Sequence, residues 1–151
     1  MSELARLKAV AEENQGADAK TSELNAQAIK DLRFLCSRLG YNLLNNVNFC
    51  TLNNSSGKRV FDTIVMGYEK GGQRPTFKSE LLTASDKMYV SVVLYEKGVV
   101  KDAYLFEGAN FIKPGIMSKF KHDKKAGVCS VDVSGTKLEQ YSFGYVIQNL
   151  K

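Results

Sequence analysis

Histidine and cysteine are nearly missing from this chain: His122 is the sole histidine, and Cys36, Cys50 and Cys129 are the three cysteines. An odd number of cysteines with no close pair argues against a disulfide framework or a thiolate zinc site and fits a reducing cytoplasm. One histidine removes most imidazole metal centres, the Ser-His-Asp triad and the Cys-His dyad unless His122 itself serves. It stands among lysines in KFKHDKK, where a solvated surface position is its ordinary role. No run of about 18 apolar residues is available to span a bilayer. The opening MSELARLKAVAEENQG lacks the apolar core and small-residue cleavage site of a secretory signal. A glycine-rich phosphate loop, a dinucleotide fingerprint and a haem motif are absent too. So are internal repeats and Pro- or Ser-rich linkers, which leaves nothing to argue for a second domain.

What is present suits one domain with a real core. A chain of 151 residues, 44% hydrophobic and 25% charged, has ordinary globular composition. Such a domain buries roughly 68–70% of the surface its unfolded chain exposes. The 21 Lys and Arg outnumber the 16 Asp and Glu, for a net charge of +5 that suits a polyanionic partner without requiring one. Residues 2–13 carry a short amphipathic pattern through Leu4, Leu7, Val10 and Ala11, broken by Gly16. Residues 1–20 are therefore read as a loosely attached arm and 21–151 as the domain. Thr21 or Ser22 is positioned to cap a helix whose stripe is Leu24, Ala28, Leu32, Leu35, Cys36 and Leu39, with Gly40 ending it. Glu23 near its start complements the helix dipole.

After Gly40 the pattern turns to strands. YNLLNNVNFCTL, RVFDTIVMGY, TFKSELLTAS, DKMYVSVVLYEKG and VVKDAYLFEG are separated by the turns NNSSGKR, EKGGQRP and EKGV. Together they predict an antiparallel meander of about four strands. AGVCSVDVSG reads as a later strand, with Val128, Ser130 and Asp132 on one face. Thr136 is placed to cap a last helix carrying Leu138, Tyr141, Tyr145, Val146 and Asn149, weakened by Gly144. The fold class expected is α/β, with a central mixed sheet flanked by helices.

Two carboxylates stand out, Asp62 in one predicted strand and Glu80 in the next. Alternation along that second strand sends Lys78, Glu80 and Leu82 to one face and Phe77, Ser79 and Leu81 to the other. This order of elements and acids resembles the restriction-endonuclease-like superfamily from about Thr21 to the end of the chain. Phe61-Asp62 is similar to its first motif element without the usual proline. Glu80-Leu81-Leu82 is similar to the second, with leucine where the family has lysine, and Thr83-Ala84-Ser85 continues it as small family members often do. The resemblance implies a restriction-endonuclease-like core, Asp62 and Glu80 as ligands of Mg²⁺, and a metal-polarised phosphate attacked by water. Leucine cannot supply the lysine's charge at position 82, so Lys78, on the same strand face, is the candidate to act with Asp62 and Glu80 in catalysis. The competing structural roles are Asp62 bridging the hairpin turn and Glu80 pairing with Lys78, Arg59 or Arg74.

Lys113, Lys119, Lys121, Lys124 and Lys125 form the densest cationic stretch, with Phe111 and Phe120 interleaved. Lysines of this kind neutralise phosphates, and the phenylalanines would tether the segment to the core. Three functions compete. The first is a nuclease-like domain that binds DNA or RNA with lost or weak cleavage. The second is an active Mg²⁺-dependent nuclease, and the third is a protein-interaction module of a phage or mobile element.

Overall fold

A computed structural model of the chain describes residues 19–46, 49–112, 120–133 and 138–150. The expected arm falls outside this set up to residue 18, and Thr136, Lys113 and Lys119 also lie outside it. The described residues form an α/β domain with a five-stranded mixed sheet, a smaller three-stranded sheet and one substantial helix. That helix, α1, spans Ala19–Arg38. The strands are β1 (Asn42–Asn45), β2 (Cys50–Asn53), β3 (Arg59–Glu69), β4 (Thr76–Lys78), β5 (Met88–Glu96), β6 (Val99–Glu107), β7 (Phe120–Asp123) and β8 (Val128–Val131). A six-residue helix, α2 (Phe143–Gln148), follows.

The large sheet runs β1-β2-β3-β5-β6, and the small one β4-β8-β7. The first three strands of the large sheet are antiparallel: β2 and β3 meet across the predicted NNSSGKR turn, while the run YNLLNNVNFCTL, read as one strand, divides into β1 and β2. The meander then breaks: β3 and β5 pair in parallel, from Asp62 opposite Met88 to Glu69 opposite Tyr95. Parallel neighbours need a crossover. The segment between them supplies it by leaving the sheet, giving β4 to the small sheet and then a 3-10 turn over Ser79–Thr83. The predicted strand TFKSELLTAS is thus only three residues long. Pairing with β8 stops after Lys78, and Phe77 and Leu81 are both buried in the apolar cluster on one face of the large sheet. β5 returns through β6 over the Lys97–Gly98 turn, where both residues have positive φ, 53° and 78°, as a tight hairpin of this twist requires.

The near-continuous apolar run in β3 follows from coverage of both sheet faces. Phe61, Val65, Tyr89, Val93, Tyr95, Ala103 and Leu105 face one way and pack with Ala28, Leu32 and Cys36 of α1 and with Phe143 and Ile147 of α2. Ile64, Met66, Tyr68, Val90, Val92, Tyr104 and Phe106 face the other way and meet Phe77, Phe111, Cys129 and Val131. The second cover is therefore the small sheet. The expected flank of helices on the central sheet is corrected accordingly: one face has α1, and the other has strands.

α1 begins before the predicted caps, leaving Thr21 and Ser22 inside the helix, with Ser22 buried. Its approach is close at Gly67, where a Cβ would stand 2.8 Å from the Leu24 carbonyl oxygen. β2 pairs with β3 only as far as Thr63, and beyond that the Gly67 N–H donates to Asn25 Oδ1 at 2.9 Å. Tyr95 OH donates to Asp31 Oδ2 at 2.5 Å and ties the helix to β5. The last helix is shorter than predicted: a 3-10 turn covers Glu139–Tyr141, Ser142 bridges Tyr104 at the β6 edge, and Tyr145 is exposed.

Candidate functional site

Asp62 occupies the end of β3 where β2 lies on one side and the entry to β5 on the other. Its side chain is only 5% exposed. Both carboxylate oxygens are engaged. Thr51 Oγ1 donates to Oδ1 at 2.7 Å across the β2–β3 ladder, where Thr51 and Asp62 are register partners. Ser85 Oγ donates to Oδ2 at 2.6 Å, and Arg59 Nη1 donates to the same oxygen at 2.8 Å. The Asp62 N–H completes the join by donating to the Lys87 carbonyl.

Arg59 also reaches Asp86 Oδ1 through Nη2 at 3.0 Å. Its hydrogen bonds and charge hold the exposed Asp86 carboxyl below the ordinary carboxylate range, and Asp86, then Asp62, raise the Arg59 guanidinium in turn. Ser85 Oγ further accepts from the Lys87 N–H at 3.1 Å. The cluster therefore links β2, β3 and the Ser85–Lys87 turn into β5. Sequence reading missed Arg59, Thr51, Ser85 and Asp86 as a group. The available signals were the i,i+3 spacing of Arg59 and Asp62 and a Ser-Asp turn before an apolar strand.

Glu80 lies elsewhere in character. It is exposed in the 3-10 turn, not on a strand beside Asp62, so the predicted alternation of Lys78, Glu80 and Leu82 on one strand face does not occur. Lys78 ends β4 in the small sheet, half-buried and opposite Val128. Leu82 is half-buried against the second apolar cluster, which gives leucine a packing reason at this position. Arg59 is committed to Asp62 and Asp86, and Arg74 lies 3.5 Å from Asp132, so neither arginine takes the Glu80 role suggested by sequence. Among the described residues no group of three or more His, Cys, Asp or Glu side chains converges to hold a metal ion. The Asp62 environment also fits Mg²⁺ poorly, because a divalent ion would have to displace a guanidinium and two hydroxyls from a nearly closed carboxylate.

The basic segment is partly described. Lys121, Lys124 and Lys125 are exposed on the β7–β8 hairpin, and His122 is half-buried opposite Cys129. The phenylalanines anchor it: Phe120 makes edge contacts with Phe111 at 4.9 Å and Phe106 at 5.4 Å, and Phe111 is buried. The hairpin turn is also held to the crossover, since the Ser79 N–H donates to the Gly127 carbonyl at 2.9 Å.

At the opposite edge of the large sheet, α1 and β1 enclose an open groove of about 520 Å³ lined by Arg33, Ser37, Tyr41 and β1. Arg33 fixes its wall by donating to the Leu43 carbonyl at 3.2 Å and to Asn45 Oδ1 at 2.8 Å. None of the described helices is long and apolar enough to cross a membrane. No protein-family model, no curated protein and no solved structure matches the chain.

Proposed function

We propose that this chain is a nucleic-acid-binding module with a restriction-endonuclease-like ancestry, in which Asp62 has passed from cleavage to holding the fold together. The observation that carries this reading is the Arg59 guanidinium on Asp62 Oδ2, joined there by Ser85 and opposed by Thr51 on Oδ1. A carboxylate neutralised in this way is a weak metal ligand. The alternative in which Asp62 and Glu80 bind Mg²⁺ and Lys78 assists catalysis requires Arg59 to leave and Glu80 to approach. Binding is supported by the exposed lysines of a hairpin whose base is pinned by Phe120. Lys113 and Lys119 continue the same cationic stretch in sequence.

The test is a titration of DNA and RNA across salt with the wild type and with Lys119, Lys121, Lys124 and Lys125 all changed to Gln. The wild type should bind with a steep salt dependence, and each lysine that contacts a phosphate should contribute about 0.9 to the logarithmic slope on duplex DNA. Absence of binding at low salt would defeat the reading. One observation favours a protein-interaction module as the second reading: Phe34 is 68% exposed on α1, and Leu44, 49% exposed, lines the neighbouring groove.

A further inference from the structure

We infer that the outer face of the small sheet is the surface that receives the nucleic acid, and that it takes the phosphodiester backbone of a duplex. This rests on the nucleic-acid reading above and adds to it the face, the cross-strand rows and the form of the strand. Register fixes the two faces. Phe77, Cys129 and His122 form one cross-strand row, and Phe77 and Cys129 of that row are buried against the large sheet. Alternation then sends the flanking rows outward: Thr76, Ser130 and Lys121 in one, Lys78, Val128 and Asp123 in the next. Thr76 and Lys121 are exposed, while Ser130 and Lys78 are half-buried.

The first row places two hydroxyls and an ammonium in line, with neighbouring strands about 4.8 Å apart. Those groups donate to phosphate oxygens. Arg74 and Asp132 extend the face by a further row and largely neutralise each other at 3.5 Å. The other acid, Asp123, is committed to the turn, accepting the Ala126 N–H on Oδ1 at 3.1 Å. With Lys124 and Lys125 at that turn, cationic side chains outnumber acids around the face.

The duplex preference follows from where the aromatic rings are. A single strand is held by stacking its bases on aromatic side chains. The two aromatic side chains of the small sheet, Phe77 and Phe120, both point to the core, so the outer rows offer charge and hydroxyls without a stacking platform. Such a face reads backbone and is indifferent to base sequence.

The experiment measures binding of a short mixed-sequence DNA duplex, and of its separated strand, across salt. Ser130→Glu puts a negative charge at the centre of the face, and Thr76→Lys adds a cation at an exposed site. The joint change Lys30→Gln and Arg38→Gln alters charge on α1, which covers the opposite face of the large sheet from the small sheet, and serves as control. Ser130→Glu should weaken duplex binding about tenfold at low salt. Thr76→Lys should tighten it and steepen the slope by about 0.9, equal to about 3.5-fold more affinity lost between 50 and 200 mM salt. The control should behave as wild type, and the single strand should bind more weakly than the duplex. Wild-type binding that is unmoved by both Ser130→Glu and Thr76→Lys overturns this face while sparing the general reading, and preference for the single strand overturns the duplex assignment. If the wild type binds neither probe, this inference falls, and the general reading falls with it when RNA also goes unbound at low salt. Thr76→Lys keeps the test decisive should Ser130→Glu disturb the sheet.

Discussion

Arg59 Nη1 lies 2.8 Å from Asp62 Oδ2, three residues along the same strand, with the aspartate buried and the arginine 44% exposed at the sheet end. An exposed ion pair contributes little, but this carboxylate is nearly closed from water and also satisfies Thr51 and Ser85. Replacing Asp62 by Ala removes one group and strands three donors. We expect Asp62→Ala to cost about 2–3 kcal/mol in urea unfolding. A double-mutant cycle with Arg59→Ala should give a favourable, non-zero coupling between the two residues. A cycle that closes at zero would mean that the contact does not hold the strands.

Leu32 is 1% exposed between α1 and the large sheet. Leu32→Asp should therefore destabilise the fold by about 4 kcal/mol or more, or prevent folding, by burying an unpaired charge. Circular dichroism melting is the check, and a parental melting temperature would show that α1 does not pack as described.

At Gly67 the relevant distance is the 2.8 Å that would separate an added Cβ from both the Leu24 Cγ and the Leu24 carbonyl oxygen. Backbone cannot yield as a side chain does. Gly67→Ala should cost about 1–3 kcal/mol by pushing α1 off the sheet, while Gly144→Ala, with open space around its Cβ, should not lose stability through any clash. Equal midpoints for Gly67→Ala and wild type in a urea titration would contradict this packing.

Burial pushes the thiols of Cys36 and Cys50 up to about 12 and that of Cys129 up to about 11, from an ordinary value of 9.0. The raised folded values favour the neutral thiol. Their contribution to stability is fully present below pH 9.0 and is lost as pH climbs toward the folded values. Tyr95 is raised in the same direction by burial and its bond to Asp31. The urea midpoint should thus fall steadily above pH 9, and a thiol-specific label at neutral pH should react only after unfolding. Rapid labelling of the native protein would contradict the burial of these three side chains.

The sequence made α1, the hairpin at Lys97–Gly98 and the apolar content of β3 readable, because each depends on local periodicity or turn chemistry. Parallel pairing of β3 with β5 was not readable, since it depends on where Phe77 and Leu81 find partners far along the chain. For the same reason Glu80 looked like a strand residue: its neighbours alternate acceptably, but Phe77 pairs with Cys129 and the chain turns two residues later. At the candidate site the sequence placed Asp62 in an apolar strand as a candidate metal ligand, and in the structure it lies buried in β3. Its partners were hidden because Thr51 and Ser85 reach it only through sheet register and the crossover. The tether of the basic hairpin was legible in the interleaved Phe111 and Phe120, whose rings do reach the core.

The central claim, binding without cutting, is tested most directly by one gel of supercoiled plasmid incubated with the protein in low salt and Mg²⁺ or Mn²⁺. The account predicts a plasmid that is retarded by the protein and runs as intact supercoiled DNA once the protein is stripped by salt. Nicked or linear product that disappears in Asp62→Ala would contradict it and return Asp62, Glu80 and Lys78 to the roles of a working nuclease.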